Sequence, residues 1–226
     1  MDASYFFTQF AAYNTEWLIA NILMWLLLVI AAMAVFAKPG GEWSNTLVKG
    51  VLALLFLWNG IVFFFLYMTQ SAIAGGIPFV VVGVLFAADM VRKKIYIALP
   101  ASGWLRYATL AWVVWALGLY TVAGWFAGHP YPGGPLPTAP CPTTMLAIAL
   151  LSTSMATLKT DRLYFTLLFA MLLWWAFFAG IFAPALYGFY LDLTLLAAGI
   201  YGLVVLRAHW KNPGQAEIVD GDRFSS

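Results

Sequence analysis

GHPYPGGPLPTAPCPTTM, residues 128–145, holds six of the chain's eleven prolines, its only cysteine, Cys141, and one of its two histidines, His129. Whether this stretch joins two membrane-crossing helices decides the fold. Proline cannot continue a helix interior but is favoured at a helix's first position. The stretch therefore ends one apolar run and opens another. On both sides the chain is apolar far beyond the soluble norm. Of 226 residues, 64% are apolar and 9% charged, and the mean hydropathy is +0.89; soluble domains average about 45–50% and about 25%. In hydrocarbon every backbone polar group needs an internal partner, so only helices or a closed barrel are viable. The apolar runs show no period of two, and their length suits helices, about 20 residues per crossing.

The sequence predicts an all-α polytopic fold of seven transmembrane helices. They cover residues 15–37, 46–69, 72–90, 104–127, 142–158, 163–182 and 192–206. Lys38, Lys49, Arg92, Lys93, Lys94, Arg106, Lys159, Arg162, Arg207, Lys211 and Arg223 are all the basic residues. Every one falls in alternate connections, in the first turn of a span beside them, or in the C-terminal tail. Basic residues stay cytoplasmic, so the N-terminus is expected outside and the C-terminus inside. An even number of spans would scatter the basic residues to both faces. Residues 128–145 are then the fourth-to-fifth connection, on the outer face of a plasma (inner) membrane.

Residues 1–14 are expected to form a short interfacial helix, with Phe6, Phe10 and Tyr13 on one face. They carry no basic n-region or small-residue cleavage pattern, so no cleaved signal peptide is expected. The bundle is placed at 15–207 and a flexible cytoplasmic tail at 208–226.

Several kinds of chemistry are excluded. The seventh span has no lysine for a retinal Schiff base. His129 and His209 lie on opposite faces and cannot share a haem. One cysteine rules out an internal disulfide and a CxxC pair. HExxH, GxSxG and paired intramembrane carboxylates are missing. The charges lie near span ends, which argues against a charge relay. No cofactor and no nucleic-acid partner is expected; the partners are the bilayer, a small solute or ion, and a membrane protein or a second copy of the chain.

Candidate site residues gather near the outer face. Pro142 is read as opening the fifth span, with Cys141 at its cap, where a helix dipole favours thiolate. Thr143 and Thr144 add hydroxyls. Cys141, Met145 and His129 form a candidate soft-metal set, and a helix N-terminus there could hold an anion. The plainer reading is a rigid helix start with a small buried thiol. The fifth span is short, so the proline-rich segment before it is expected to dip below the membrane surface, where irregular backbone requires protein or a cavity around it; the plainer alternative is a loop lying flat over the bundle as a lid. Asn59, mid-span in WNG, is either packing glue beside Gly60 or a solute contact. Asp192 reads as a helix cap, as do Asn14 and Glu16. Yet Asn14, Glu16, His129, Tyr131, Cys141 and Asp192 share one end of the bundle and would converge if the first, fifth and seventh spans are neighbours. Asp89 beside Arg92 is read as a cytoplasmic end pair, and Asp161 as a cap.

FAAYN (10–14), WNG with its following aromatics (58–65), GHPYP (128–132) and PCPTT (140–144) together resemble an uncharacterised bacterial family of multi-pass membrane proteins, a domain of unknown function of the 6064 type. The resemblance covers nearly the whole chain. It implies an integral membrane protein and no particular activity. It also implies a frequent His six residues after the tryptophan of the second span; Phe64 stands there, which weakens a His-based metal or proton role. Three functions follow as expectations: solute binding or transport through an outward-facing pocket, an accessory role in a larger membrane complex, or a Cys141-dependent enzyme.

Overall fold

Apolar runs that must satisfy their own backbone become helices, and helices are the only regular elements among the described residues. The structure, a computed structural model, describes residues 3–154 and 160–211. The helices are α1 (Ala3–Glu16), α2 (Leu18–Ala37), α3 (Glu42–Tyr67), α4 (Thr69–Arg92), α5 (Trp104–Phe126), α6 (Pro140–Ser154), α7 (Arg162–Tyr187) and α8 (Leu193–Lys211). Six of them, α2 to α5, α7 and the segment Tyr190–Ala208 that includes most of α8, are long and apolar enough to cross a bilayer.

The helix α6, at the place of the expected fifth span, differs in kind. It has 15 residues, and all but Cys141 are buried. It packs against α3, α5, α7 and α8, at the centre of the bundle. With hydroxyls on every side it has no wholly apolar stripe to turn to lipid, so it belongs inside. Its five hydroxyl side chains are consumed locally. Thr144 donates to Pro140 O (2.8 Å), Ser152 to Ile148 O (2.7 Å), Thr153 to Leu150 O and Ser154 to Leu151 O, and Thr143 reaches Thr138 O (3.2 Å). Hydroxyls bonded to their own helix's carbonyls leave none to desolvate. By contrast α2 exposes Ile19, Ile22, Leu23, Leu26, Ile30 and Met33, a surface suited to lipid.

The remaining differences from the expected spans are local. Helix α6 begins at Pro140 rather than Pro142, because the N–H groups of a first turn have no intrahelical partner and proline costs nothing there. Cys141 thus lies inside the first turn. Expected residues 155–158 of that span, and tail residues 212–226, lie outside the described residues; α8 continues through Lys211. The long helices also carry π-type turns, at Asn59–Tyr67 in α3 and Trp115–Leu119 in α5.

Close approach of helices uses glycine. A Cβ on Gly60 would lie 2.7 Å from Val80 Cγ2, and one on Gly180 2.7 Å from the backbone N of Leu196. These contacts lock α3 to α4 and α7 to α8, the two most intimate pairs beside α2 and α3.

One end of the bundle collects the connections after α2, α4 and α6. Lys93 pairs with Glu42, Lys94 with Asp161 (3.0 Å), and the Tyr96 hydroxyl donates to Gly40 O. Asp161 caps α7 by accepting from Tyr164 N (3.1 Å), as expected from sequence. Asp89, expected to form a cytoplasmic end pair with Arg92, instead pairs with Lys49 at 2.8 Å, and both side chains are buried (0% and 4% exposed). The correction has a physical cause. The extended segment after α4 folds inward, burying Ile95, Ile97 and Leu99, and its backbone needs partners. Asp89 accepts from Lys94 N (2.6 Å) and Ile95 N (3.2 Å), Lys49 donates to Ile95 O (2.5 Å), and the Asn45 amide takes both backbone groups of Ile97. The charges near span ends are thus not all at the rim.

Candidate functional site

The opposite end of the bundle is built around residues 128–139. This segment enters the bundle: Gly134, Pro135, Thr138 and Ala139 are buried. Asn59, about two-thirds along α3, donates through Nδ2 to Thr138 O at 2.9 Å and to Leu55 O at 2.9 Å. The segment therefore reaches about two turns below the near end of α3. Asn14 donates to Pro132 O and Gly134 O, both at 2.7 Å. Thr138 Oγ1 donates to Asn21 Oδ1 at 2.7 Å, which also accepts from the Tyr13 hydroxyl at 3.0 Å. Tyr13 in turn accepts from Trp58 Nε1 at 2.8 Å, and burial pushes its hydroxyl above the ordinary range, keeping it protonated. Two buried asparagines, Asn14 and Asn59, thus replace the water that irregular backbone would otherwise need, and Asn21 holds the Thr138 side chain. Asn14 and Asn59 act as clamps of the segment.

Beside this clamp lies the chemically richest cluster. Asp192 is buried on the short 3₁₀ turn before α8 (2% exposed). Its carboxylate accepts from the Tyr120 hydroxyl of α5 and, through Oδ2, from the Cys141 thiol at 3.3 Å. The carboxylate faces these side chains, where the sequence suggested a helix cap. Helix α5, helix α6 and the turn before α8 each contribute one member. The pair Cys141 and Asp192 opens onto a cavity of about 250 Å³. Phe6 and Phe10 of α1, Phe63 and Phe64 of α3, and Trp175, Phe178 and Tyr187 of α7 wall it, with Pro140 at its base. Apolar walls with a few polar groups are the usual composition of a small-molecule site.

The other candidates lie around this cavity. The His129 ring stacks on Phe7 (centroids 4.6 Å apart) and meets Phe189 edge-on (5.0 Å); its partial burial lowers its pKa. Met145 Sδ accepts from Thr194 Oγ1 at 3.7 Å. The soft-metal set is thus divided among separate partners, Phe7 and Phe189 for His129, Asp192 for Cys141, Thr194 for Met145. Among the described residues no group of three or more His, Cys, Asp or Glu could hold a metal ion. Glu16 is exposed and accepts from the Tyr67 hydroxyl at 2.5 Å. Tyr131 is exposed, ahead of a cis bond to Pro132. Thr143 and Thr144 serve the helix start. Of the set that sequence gathered at this end, the structure joins Cys141 to Asp192 directly and Asn14 to the segment before Cys141, and leaves Glu16 outside.

Sequence reasoning missed Tyr120, Asn21 and Trp175. Asn21 carries the one available signal, an amide inside an apolar run, because an amide in hydrocarbon needs a partner. Tyr120 and Trp175 sit among so many aromatics that nothing marks them.

These features define a class: a membrane protein of apolar helices wrapped around a buried central helix, with an interior cavity at one end. The chain belongs to DUF6064, a family of unknown function, which matches residues 3–216. No curated protein and no solved structure matches it.

Proposed function

We propose that the protein is a multi-pass protein of the plasma (inner) membrane that binds or moves a small solute through an outward-facing pocket at Cys141 and Asp192. The carrying observation is the 250 Å³ aromatic cavity that ends on these two residues. The chain makes seven passes in this reading. Helix α6 rises only about 22 Å at 1.5 Å per residue, short of the roughly 30 Å of hydrocarbon, and the buried segment before it completes the pass. Two observations support an N-terminus outside and a C-terminus inside. The connections bearing Lys38, Lys93, Lys94 and Arg162 meet at one end. The other end, with α1 and residues 128–139, carries no lysine or arginine.

The polar interior supports binding over a charge relay. Lys49 and Asp89 hold backbone at the far end of the bundle, and the cavity itself has one carboxylate and no cation among its lining residues. A lone carboxylate also disfavours an anion as the solute.

A thermal-shift screen of the purified protein with organic solutes, soft metals and anions tests the proposal. A shift that Ala183→Phe abolishes by filling the cavity supports it. If nothing shifts the wild type and native mass measurement shows a stoichiometric partner, the accessory reading replaces it.

A further inference from the structure

The cavity's polar corner has two groups of opposite sense. Asp192 supplies an acceptor. Trp175 supplies a donor: its indole N–H has no hydrogen-bond partner, although the residue is 6% exposed. The nitrogen lies beside the Cys141 sulfur without making a hydrogen bond of good geometry. The ring cannot turn to find another partner, because it packs edge-on against Phe64 (5.0 Å) and Phe79 (5.2 Å). A buried donor left unpaired is costly, so this one is set to receive an acceptor from whatever fills the cavity.

The cavity's other side is defined by α7. Phe182 and Leu186 line it and are also exposed on the outer surface of that helix. In a bilayer this surface meets acyl chains. An occupant arriving there must have an apolar body.

We infer that the pocket proposed above takes an uncharged apolar hydroxy compound, an alcohol or phenol, whose hydroxyl accepts from Trp175 Nε1 and donates to Asp192. A hydroxyl is the smallest group that meets both needs at once. An ammonium has three donors and no acceptor and leaves the indole unpaired. A carboxylate satisfies the indole but has no hydrogen to give Asp192.

Photolabelling in lipid nanodiscs tests this. The probe is a diazirine analogue of 1-octanol, and labelled peptides are identified by mass spectrometry. 1-Octanol, octylamine and octanoate compete, so the chain is constant and only the head changes. Labelling is expected on α1 and on the α7 segment around Phe178 and Phe182. 1-Octanol should compete about tenfold better than the charged heads, the factor that one lost hydrogen bond of about 1.4 kcal/mol gives. Trp175→Phe keeps the ring and should erase most of that advantage; if it does not fold, the order of the competitors on the wild type decides alone. Equal or better competition by octylamine or octanoate overturns the hydroxyl inference and leaves the pocket standing. No competable labelling of any lining residue overturns the pocket as well.

Discussion

Breaking the Lys49–Asp89 pair should damage the fold severely, and unequally from its two sides. The side chains meet at 2.8 Å with almost no exposure. Removing one partner of a buried pair typically costs about 3–5 kcal/mol, because the other charge stays buried without compensation. In Lys49→Met the carboxylate keeps the backbone N–H groups of Lys94 and Ile95, so the loss should lie near about 3 kcal/mol. In Asp89→Ala the ammonium keeps only Ile95 O, and the buried Ile95 N–H loses its acceptor at about 1–3 kcal/mol, while the more exposed Lys94 N–H can turn to water. That variant should lose about 5 kcal/mol or more, enough to unfold a marginal protein. The double variant should be less damaged than the sum of the two, with a coupling of about 2 kcal/mol, within the range for residues in direct contact. Equilibrium unfolding in mixed micelles, followed by tryptophan fluorescence, measures all three. If both single variants fall within about 1 kcal/mol of wild type, the value of an ordinary surface ion pair, the pair is solvated and the inward-folded segment 94–97 is misplaced.

Other consequences can be checked separately. Asn14→Leu removes two hydrogen bonds to Pro132 and Gly134; it should destabilise by about 1–3 kcal/mol and increase cleavage of residues 128–139 by protease added outside. Gly180→Leu drives a side chain into the Leu196 backbone and should cost about 1–3 kcal/mol as overpacking, read as a lowered melting temperature. His129 is held neutral by burial between aromatic rings. Its folded pKa lies below the unfolded value, so the unfolded chain binds the extra proton first. Stability should be full above about 6.5 and decline as pH falls from there through the folded value, and His129→Phe should flatten that decline in melts across the range. A reporter fused at the C-terminus should be active only inside the cell; activity outside would reverse the orientation and move the cavity to the other face.

Much of this fold was legible because hydrocarbon leaves few choices. Runs of about 20 apolar residues bounded by KPGGE, VRKK and KTDR marked α2, α4 and the start of α7 to within a few residues. The inward dip before Cys141 was legible from a span too short to cross unaided. The central position of α6 was not read, although PCPTTMLAIALLSTS carries a sign of it. It has hydroxyls on every side and no aromatic, so no face is suited to lipid. The Lys49–Asp89 pair was hidden because each residue has a nearer, plainer explanation in its own helix, and only the packing of α3 on α4 brings them together. Asp192 misled in a similar way. An aspartate ahead of Leu-Thr-Leu-Leu is a good cap by local rules, and the competing partners, Tyr120 and Cys141, come from distant helices.

The account depends most on a cavity that leads to the chain's single thiol. Methyl methanethiosulfonate, small and uncharged, adds one methylthio group to an accessible cysteine, and intact mass reads the addition. Cys141 in the folded protein should be modified once the pH is high enough to ionise the thiol, and Ala183→Phe, which fills the cavity, should nearly stop the reaction. A thiol that stays inert at alkaline pH until the protein is denatured, or one that reacts equally fast in the filled variant, would contradict the cavity.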